Sequence, residues 1–459
     1  MNIDQISKKP IELTRQLAAL ALATQFEDLP SSVQNESVRT FVNWTGCVLG
    51  GCNDPAVIAA EKTVLEAGAH PQASIVGRRH KTDVASAAFL NCLSSTVNSF
   101  DDTHLATVTH PTGPVAAALF AYAEQNQVSG KDFLAALSIG IEIECRLSNV
   151  LLTQPAKANL GLFITGITGP IGAAAALGRL MKLDETQMRW AIGLAAVQAS
   201  GFRGTHGAMA AFFVPAHAAR TGVWGAMLAR NGLTCTDHVL ESDKGFVEIF
   251  APGANLELAV QDWGTHYEML LNAYKPYPSG IVVQPIIDAC LEIASQMNDP
   301  SQIQSVTLQV NPLALNLTGR RHPKDSVEAQ ISLFHLAACC LLQGHAGLAQ
   351  LTQSCVENQS IQSMRNLIVA NPDESLERDA AKASVSLTNG QVISSYVAHA
   401  RGSVERPMTN EELDQKFMDQ ANMVLQPEVS TKLLNACRNL ANSHDVGKNI
   451  SRILSNQCC

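Results

Sequence analysis

The stretch ASVSLTNGQVISSYV, residues 383–397, contains the clearest fold signal in the chain. Two runs with alternating side chains, Ala383 to Leu387 and Gln391 to Val397, flank the dipeptide Asn389-Gly390. Asn-Gly suits a two-residue turn because both residues tolerate a positive φ, and the alternation places one face of each run against a core. The stretch therefore predicts a β-hairpin.

The chain before this hairpin continues the same pattern. Residues 305–310 alternate, with Val306, Leu308 and Val310 on one face, which predicts another strand. Residues 328–342 and 359–368 have the apolar spacing of helices. Residues 269–400 are therefore predicted to form a smaller α+β domain.

The chain on both sides of this segment is predicted to be helical. A helix with Pro215 in its first turn is predicted to reach Arg230, where Asn231-Gly232 ends it. Four other stretches have the residue types that start helices, namely Asp54-Pro55, Ser129-Gly130, the capping pair Asp184 and Gln187, and Thr409 before Asn410-Glu411-Glu412. The prediction is a mainly α fold, in which residues 1–268 and 401–459 build one discontinuous helical domain and the α+β domain is inserted as a lid.

The composition excludes several classes of protein. The 459 residues carry a formal net charge of -9, with 46% hydrophobic and only 16% charged residues. Disordered chains are poor in apolar residues, and nucleic-acid-binding domains carry basic patches, so we expect neither disorder nor a nucleic-acid partner. The low charged fraction predicts a large core or a sizeable subunit interface.

The sequence also suggests a location. It lacks an uninterrupted apolar run of membrane-spanning length, and the apolar stretch near the N-terminus is broken by Glu12 and Arg15. The twelve cysteines form no C-x-x-C pair, and the doublets Cys339-Cys340 and Cys458-Cys459 suit neither a zinc cage nor a disulfide framework. We expect free, mostly buried thiols in a cytoplasmic protein that does not contact a membrane.

The densest group of polar side chains lies at residues 101–112. The segment holds Asp101, Asp102, Thr103 and His104, and then His110. Histidine has the unperturbed pKa nearest neutrality, so the segment can supply an acid or a base. It could instead be a polar loop that caps the next helix. A metal bound by Asp101, His104 and His110 is a further alternative, but their spacing matches no recognised ligand pattern.

Two other places carry candidate binding groups. Arg203 and His206 lie in the glycine-rich turn GFRGTHG, residues 201–207, which can present backbone N–H groups and an imidazole to a carboxylate. Lys275 lies in YKPYPSG, residues 274–280, where the helical and α+β domains are predicted to meet, and could bind an anionic substrate.

The spacing of the glycines at residues 166, 169 and 172 does not match the G-x-G-x-x-G pattern of a nucleotide-binding loop. These glycines predict instead that the backbone closely approaches a neighbouring helix or a ligand. His217 and Arg220, three residues apart on a predicted helix, could be purely structural.

An ordered set of motifs resembles the MmgE/PrpD family over residues 12–440. The motifs are FDDTH at 100–104, HPTG at 110–113, IGAAAA at 171–176, AARTG at 218–222, KPYP at 275–278, AGLAQ at 346–350, HARGS at 399–403 and PMT at 407–409. The resemblance implies a mostly helical domain with a smaller lid, a homodimer, and a cleft between the two lobes. It implies neither a metal nor an organic cofactor.

The resemblance also implies chemistry. Family members move a proton next to a carboxylate while they lose water, lose carbon dioxide, or return the proton to the other face. The resulting prediction is a lyase or isomerase acting on a small di- or tricarboxylate. Among the predicted catalytic residues, His110 is the base or acid, and Lys275 and His206 bind carboxylates. Thr103 is predicted to hydrogen-bond the substrate and Asp102 to orient the loop. The predicted substrate-binding residues are Arg203, His104 and Tyr277.

Three positions depart from the family pattern. Ser99 stands where an acidic residue is common, Phe163 replaces a usual histidine, and Ala211 replaces a usual lysine. His206 could substitute for that lysine if its pKa were raised. These departures leave two alternatives open: a degenerate paralogue that binds a metabolite without turnover, and an enzyme for a less polar substrate that contacts Phe163 and Ala211.

Overall fold

A computed structural model describes residues 11–159 and 161–455, and the fold is mainly helical. The helices of the first part are α1 Leu13–Ala23, α2 Ser31–Gly51, α3 Pro55–Glu66, α4 Val84–Thr96, α5 Thr112–Ala123, α6 Gly130–Leu152, α7 Ile164–Leu180, α8 Glu185–Ala196, α9 Ala210–Arg230 and α10 Phe246–Phe250. The short strands of this part pair as β1 Ala73–Ser74 with β2 Lys81–Thr82, and β3 Thr103–His104 with β4 Asn272–Ala273.

Small residues let the central helices pack closely. Helix α7 contacts α6 on one side and α9 on the other. A Cβ added at Gly172 of α7 would lie 2.5 Å from the carbonyl oxygen of Gly140 on α6, so only glycine permits this spacing. The close approach agrees with the prediction from the glycine spacing at residues 166–172.

The segment after β4 contains a four-stranded sheet. Its elements are α11 Gln284–Ala294, β5 Ile303–Val310, α12 Pro312–Thr318, α13 Ser326–Ala329, α14 Leu333–Gln343, α15 Gln353–Val356, α16 Gln359–Leu367, β6 Ile368–Pro372, β7 Ala381–Leu387 and β8 Val392–Val397. The strand order is β6-β5-β7-β8, with β6 parallel to β5 and the other pairs antiparallel. The predicted hairpin is confirmed as β7–β8, and Gly390 takes a φ of 85° in its turn.

The chain then returns to the first helices. The last three helices are α17 Asn410–Ala421, α18 Pro427–Arg438 and α19 Val446–Ser455. Helices α17 and α18 pack on α2, and α19 packs on α5. One buried apolar cluster therefore joins both ends of the chain, from Phe26 to Ile450, while another is built from residues 273–397.

Two local predictions were wrong. Pro215 lies inside α9, which already begins at Ala210, because the turn before it ends earlier than the proline signal suggests. The helix predicted over residues 328–342 is broken into α13 and α14, since Ser332 turns out of the helix and accepts a hydrogen bond from the backbone N–H of His335. None of the helices in the described ranges is both long and apolar enough to cross a membrane.

Candidate active site

The loop between α4 and α5 is held against the start of the α+β segment by a short strand pair. Thr103 faces Ala273 and His104 faces Asn272 in the β3–β4 register. Because β4 ends two residues before Lys275, this pairing brings the lysine beside the polar loop, 174 residues away in sequence.

Asp101 links the two predicted key residues. The Lys275 ammonium donates to Asp101 Oδ1 over 2.9 Å, and His110 Nδ1 lies 3.3 Å from Asp101 Oδ2. The Lys275 side chain is only 1% exposed. Burial by itself would raise the pKa of Asp101, but the charge of Lys275 and the hydrogen bond that it donates help to outweigh burial. The net pKa is lowered, so Asp101 is ionised.

The surroundings of His110 determine its tautomer. Besides Asp101, its Nδ1 lies 3.2 Å from the backbone oxygen of Asp102 and 3.2 Å from Thr103 Oγ1. A carboxylate and a carbonyl oxygen only accept hydrogen bonds, so Nδ1 carries the hydrogen and Nε2 keeps its lone pair. Burial lowers the pKa of His110 to about 4, with Asp101 opposing the shift, so the imidazole is neutral at neutral pH.

Asp102 has a different environment from its neighbour. One of its oxygens, Oδ2, accepts from the Thr112 hydroxyl over 2.6 Å and from Asn272 Nδ2 over 3.0 Å. Burial raises the pKa of Asp102 to about 7, although the hydrogen bond from Thr112 opposes this. Asp102 therefore ties the loop to α5 and β4 and does not line the cavity described next.

A cavity of about 110 Å³ lies against His110 and Lys275. Its polar side chains come from both parts of the chain: Thr96, Ser99, Asp101, His110, His206, Lys275, Thr318 and Gln330. The rest of its wall is apolar, including Phe163, Ala211, Phe212, Val108, Pro215, Ile281, Val282, Leu317, Val327 and Ile331. His110, His206 and Lys275 therefore line one cavity. Phe163 and Ala211, two of the positions that depart from the family pattern, form part of its apolar wall.

His206 does not have the charge that a replacement for the family lysine would need. Its ring meets the Phe163 ring edge-on, with centroids 5.2 Å apart. Burial, and then the positive charge of Arg203, lowers the pKa of His206 to about 4. The condition of a raised pKa is therefore not met, and His206 is neutral in this cavity.

The other predicted residues lie beside the cavity, outside its lining. His104 Nε2 lies 3.0 Å from Glu268 Oε2, so this ring is engaged away from His110. Asp101, His104 and His110, the alternative metal ligands, therefore do not converge on one point. The Tyr277 hydroxyl donates to Asp288 Oδ1 over 3.0 Å. Thr103 contacts His110, and Arg203 acts on the cavity through its charge.

Sequence reasoning missed two contributors to this site. It considered Asp101 only as a possible metal ligand, and only the fold shows that Asp101 is the shared partner of Lys275 and His110. Gln330 accepts from Ser99 Oγ over 2.7 Å and donates to the Val97 backbone oxygen over 2.9 Å. The family departure at Ser99 was the available signal for that contact, while no local pattern singled out Gln330.

Comparison with known proteins agrees with the motif analysis. The chain is 23% identical to the "Cis-aconitate decarboxylase-like protein oryM" of Aspergillus oryzae, over 93% of this chain and 94% of that protein. It is 25% identical to the cis-aconitate decarboxylase of Homo sapiens, over 78% and 77% of the two chains. It is 23% identical to that of Aspergillus terreus, over 87% of each.

Family profiles match nearly the whole chain. The MmgE/PrpD N-terminal domain matches residues 15–259, which include the polar loop and the glycine-rich turn. The MmgE/PrpD C-terminal domain matches residues 277–442, which include the four-stranded sheet and the helices that return to α2. The chain therefore belongs to the MmgE/PrpD family.

Proposed function

We propose that this protein is a cofactor-independent lyase or isomerase that transfers a proton at the carbon next to a carboxylate in a small organic acid. One observation carries the proposal: His110, oriented at Nδ1 by Asp101, leaves Nε2 free beside a cavity that Lys275 also lines. A neutral imidazole with its second nitrogen held by a carboxylate is suited to general-base catalysis.

Each polar group has a role in this scheme. His110 Nε2 accepts the substrate proton, and the Asp101 carboxylate stabilises the imidazolium that forms. Lys275 binds the substrate carboxylate and stabilises the charge that develops on it as the proton leaves. Asp102, through Thr112 and Asn272, holds the loop in place. In a dehydration the departing hydroxyl takes the proton and leaves as water, and in an epimerisation the proton returns to the other face of the carbon. In a decarboxylation carbon dioxide leaves and the carbon takes up a proton, so His110 would act there as the acid.

The charge of the cavity limits the substrate. Lys275 is paired with Asp101, and His110 and His206 are neutral, so the lining has no net positive charge. A tricarboxylate would leave charges against Phe163 and Ala211, where desolvation is unfavourable. We therefore favour an acid that places one carboxylate at Lys275 and a less polar part against that wall.

The size of the cavity supports a small substrate. Its volume of about 110 Å³ is somewhat smaller than an apolar cavity of about 150 Å³ that holds benzene. Arg320 lies next to Gly207 of the cavity lining, and its guanidinium is paired with Glu328 at 3.1 Å. A second carboxylate would fit best on the side of Gly207, where Arg203 and Arg320 supply positive charge.

The relatives support the lyase class. The human and Aspergillus terreus proteins are named cis-aconitate decarboxylases, and both align over most of this chain. At 23–25% identity, the apolar residues at 163 and 211 are what we expect to separate this protein's substrate from theirs.

We also propose that the α+β segment is a lid over this cavity. The cavity lining comes from both parts of the chain, with Asp101 and His110 from the helical part and Lys275 and Ile281 from the α+β segment. Hydrogen bonds join the two parts at the cavity, namely Lys275 to Asp101 and Ser99 to Gln330. A substrate carboxylate that bridges Lys275 to the helical part would favour the closed form.

A homodimer is the proposed assembly. Several large apolar side chains on and near α8 and α9 are exposed, namely Val197, Phe202, Met209, Phe213 and Trp224. Such a group is unusual on a monomer surface and is the face we expect a second copy to cover. Light scattering should give twice the chain mass, and Trp224→Asp should lower it; a wild-type monomer at micromolar concentration contradicts the proposal.

The function is tested with a panel of small acids followed by proton NMR in D₂O. The panel contains mono-, di- and tricarboxylates, including cis-aconitate, and turnover appears as a new product or as deuterium next to a carboxylate. His110→Gln serves as the matched variant. Turnover that the wild type shows and the variant lacks supports the proposal.

The same experiment addresses the non-catalytic alternative. If an acid raises the Tm of the wild type, and Lys275→Met abolishes the shift, then that acid binds in this cavity. If no bound acid then undergoes turnover or deuterium exchange, the protein binds a metabolite without catalysis, and the proposed activity is wrong.

A further inference from the structure

Three side chains with metal-binding atoms meet in the core of the α+β segment, away from the cavity. They are His335 and Cys339 on α14 and Cys355 on α15, and their ligand atoms all lie within 4.8 Å of one another. His335 and Cys339 are four residues apart and therefore share one face of their helix. None of the three lines the cavity of the candidate active site.

From this geometry we propose that His335, Cys339 and Cys355 form a structural zinc(II) site. Zinc bonds of about 2.3 Å to sulfur and about 2.0–2.1 Å to nitrogen give tetrahedral edges of about 3.8 Å between two sulfurs and about 3.5 Å between sulfur and nitrogen. The Cys339 and Cys355 sulfurs are 3.8 Å apart, and Cys339 Sγ is 3.5 Å from His335 Nε2. Two edges of the triangle thus match a zinc tetrahedron, and the third, from Cys355 to His335, is at most 4.8 Å.

The His335 ring already has a hydrogen-bond partner. The Gln350 carbonyl oxygen lies 2.7 Å from His335 Nε2, where it accepts a hydrogen bond in the metal-free form. Zinc binding at Nε2 replaces this hydrogen bond, moves the ring hydrogen to Nδ1 and leaves the fourth position to a water molecule, because a zinc tetrahedron needs an edge of about 3.4 Å between nitrogen and oxygen. Two thiols lose their protons on binding, so the site neutralises the zinc charge.

Arg365 carries buried N–H groups that could become second-shell donors to a metal-bound thiolate. Its side chain is buried, and Nη2 donates to the Val356 backbone oxygen over 3.1 Å. Its Nε and Nη1 atoms are buried and have no hydrogen-bond partner among the described residues. Zinc-bound thiolates are acceptors for such N–H groups, and second-shell donors of this kind stabilise a metal site.

A disulfide fits the same atoms less well. A disulfide bond requires about 2.05 Å between sulfurs, so the pair would have to close by nearly half of its 3.8 Å separation. It would also leave His335 and Arg365 without an anionic or metal partner. Cys355 lies on α15, a helix of only four residues that also contains the exposed Gln353 and Ser354. A local opening of this short helix would give the metal a route of entry.

Cobalt(II) tests the site because tetrahedral thiolate coordination of cobalt produces intense absorption bands. The whole reduced protein is titrated with cobalt(II) alone and then with zinc(II). Cys340→Ser is the matched control, because Cys340 is buried on the same helix but lies outside the cluster. We expect one equivalent of bound cobalt in the wild type and the control, displaced by zinc, and an affinity weaker by more than about tenfold in Cys339→Ser and Cys355→Ser.

Two further measurements do not depend on the variants folding. Zinc should raise the Tm of the wild type, because a ligand that binds only the folded state stabilises it. X-ray absorption at the zinc edge should show two sulfur neighbours and nitrogen or oxygen neighbours. Absence of stoichiometric cobalt binding, a zinc shell without sulfur, or unchanged cobalt bands in Cys339→Ser and Cys355→Ser would each overturn the proposal.

Discussion

Lys275 donates a hydrogen bond of 2.9 Å to Asp101, and the pair is buried although 174 residues separate the two in sequence. The second oxygen of Asp101 faces His110. One carboxylate therefore sets both the charge next to Lys275, the proposed carboxylate-binding group, and the orientation of the proposed base.

Asp101→Asn should lower kcat by about 10²–10⁴. The asparagine amide can donate to His110 Nδ1, which would move the ring hydrogen to Nε2 and block the lone pair that accepts the substrate proton. The change also leaves Lys275 as a buried cation without a charged partner, which costs about 3–5 kcal/mol of stability when a buried pair is broken. Steady-state kinetics and urea unfolding measure the two effects. Asp237→Asn, which removes a more exposed carboxylate, is the control; unchanged kcat in Asp101→Asn would refute the orienting role.

His110→Gln should lower kcat and kcat/KM together, by about 10²–10⁴, because a general base acts in the transition state. The control is His217→Gln, since His217 stacks on Phe213 outside the cavity. Deuterium exchange at the substrate carbon should vanish in His110→Gln and persist in the control. Near wild-type exchange in His110→Gln would show that another group removes the proton.

The pH profile should lack the titration of an ordinary histidine. His110 must be neutral to act as base, and its pKa of about 4 means that it is already neutral above that pH. Activity lost by protonation should therefore appear only as pH falls towards 4. His206 is also neutral, so no fall is expected as pH rises through the neutral range. The measurement is kcat/KM against pH, corrected for substrate ionisation. Asp102, with a pKa of about 7, titrates in the same loop, so the profile is also measured in Asp102→Asn. A limb near pH 6.5 that persists in this variant would contradict the assigned state of His110.

Ala211→Lys should change the substrate preference. Ala211 lines the cavity at the position where the family usually has lysine. A cation there would compensate a second carboxylate, so kcat/KM for dicarboxylates should rise relative to monocarboxylates by about tenfold, which corresponds to about 1.4 kcal/mol. Ala211→Met, similar in length but uncharged, should not produce this change. An equal loss for both substrate classes in Ala211→Lys would mean that substrates do not reach this wall.

Asp102→Asn should alter the pH dependence of stability. The folded pKa of Asp102, about 7, is above its ordinary value of 3.8, so the folded state holds a proton that the unfolded state releases between these values. The raised pKa of Asp102 stabilises the folded state fully below pH 3.8, the ordinary pKa that applies in the unfolded chain. This stabilisation is lost as pH rises towards 7, at about 1.4 kcal/mol per pH unit. Asparagine mimics the protonated acid, so the variant should gain stability relative to wild type over this range. Urea unfolding at several pH values measures the difference; parallel curves would contradict the raised pKa.

Local structure could be predicted where its signal lies within a few residues. Asn389-Gly390 specified the β7–β8 turn, and Asp184 with Gln187 formed the capping box at the start of α8. These signals work because turn and cap geometry depend on the conformations of adjacent residues. The proline signal at Pro215 failed because a proline is tolerated within a helix when surrounding contacts hold it, and the local sequence does not contain those contacts.

The candidate site shows the same division. Sequence identified His110, Lys275 and His206, and the structure places all three at one cavity. It could not distinguish Asp101 from Asp102, because adjacent residues in extended chain point to opposite sides and only the pairing of β3 with β4 decides which one meets Lys275. The charge of His206 could not be predicted from the sequence either, because burial sets its pKa and burial is known only from the folded structure.

The sequence by itself determined the hairpin, the helix starts that carry a capping signal, the family, and the residue types available for acid–base chemistry. The tertiary structure decided which of those residues meet: Asp101 with Lys275 in the candidate active site, and Cys355 with His335 and Cys339 in the proposed metal site. The reason is physical. Local conformation depends on neighbouring residues, whereas distances, burial and pKa values depend on which distant segments pack together.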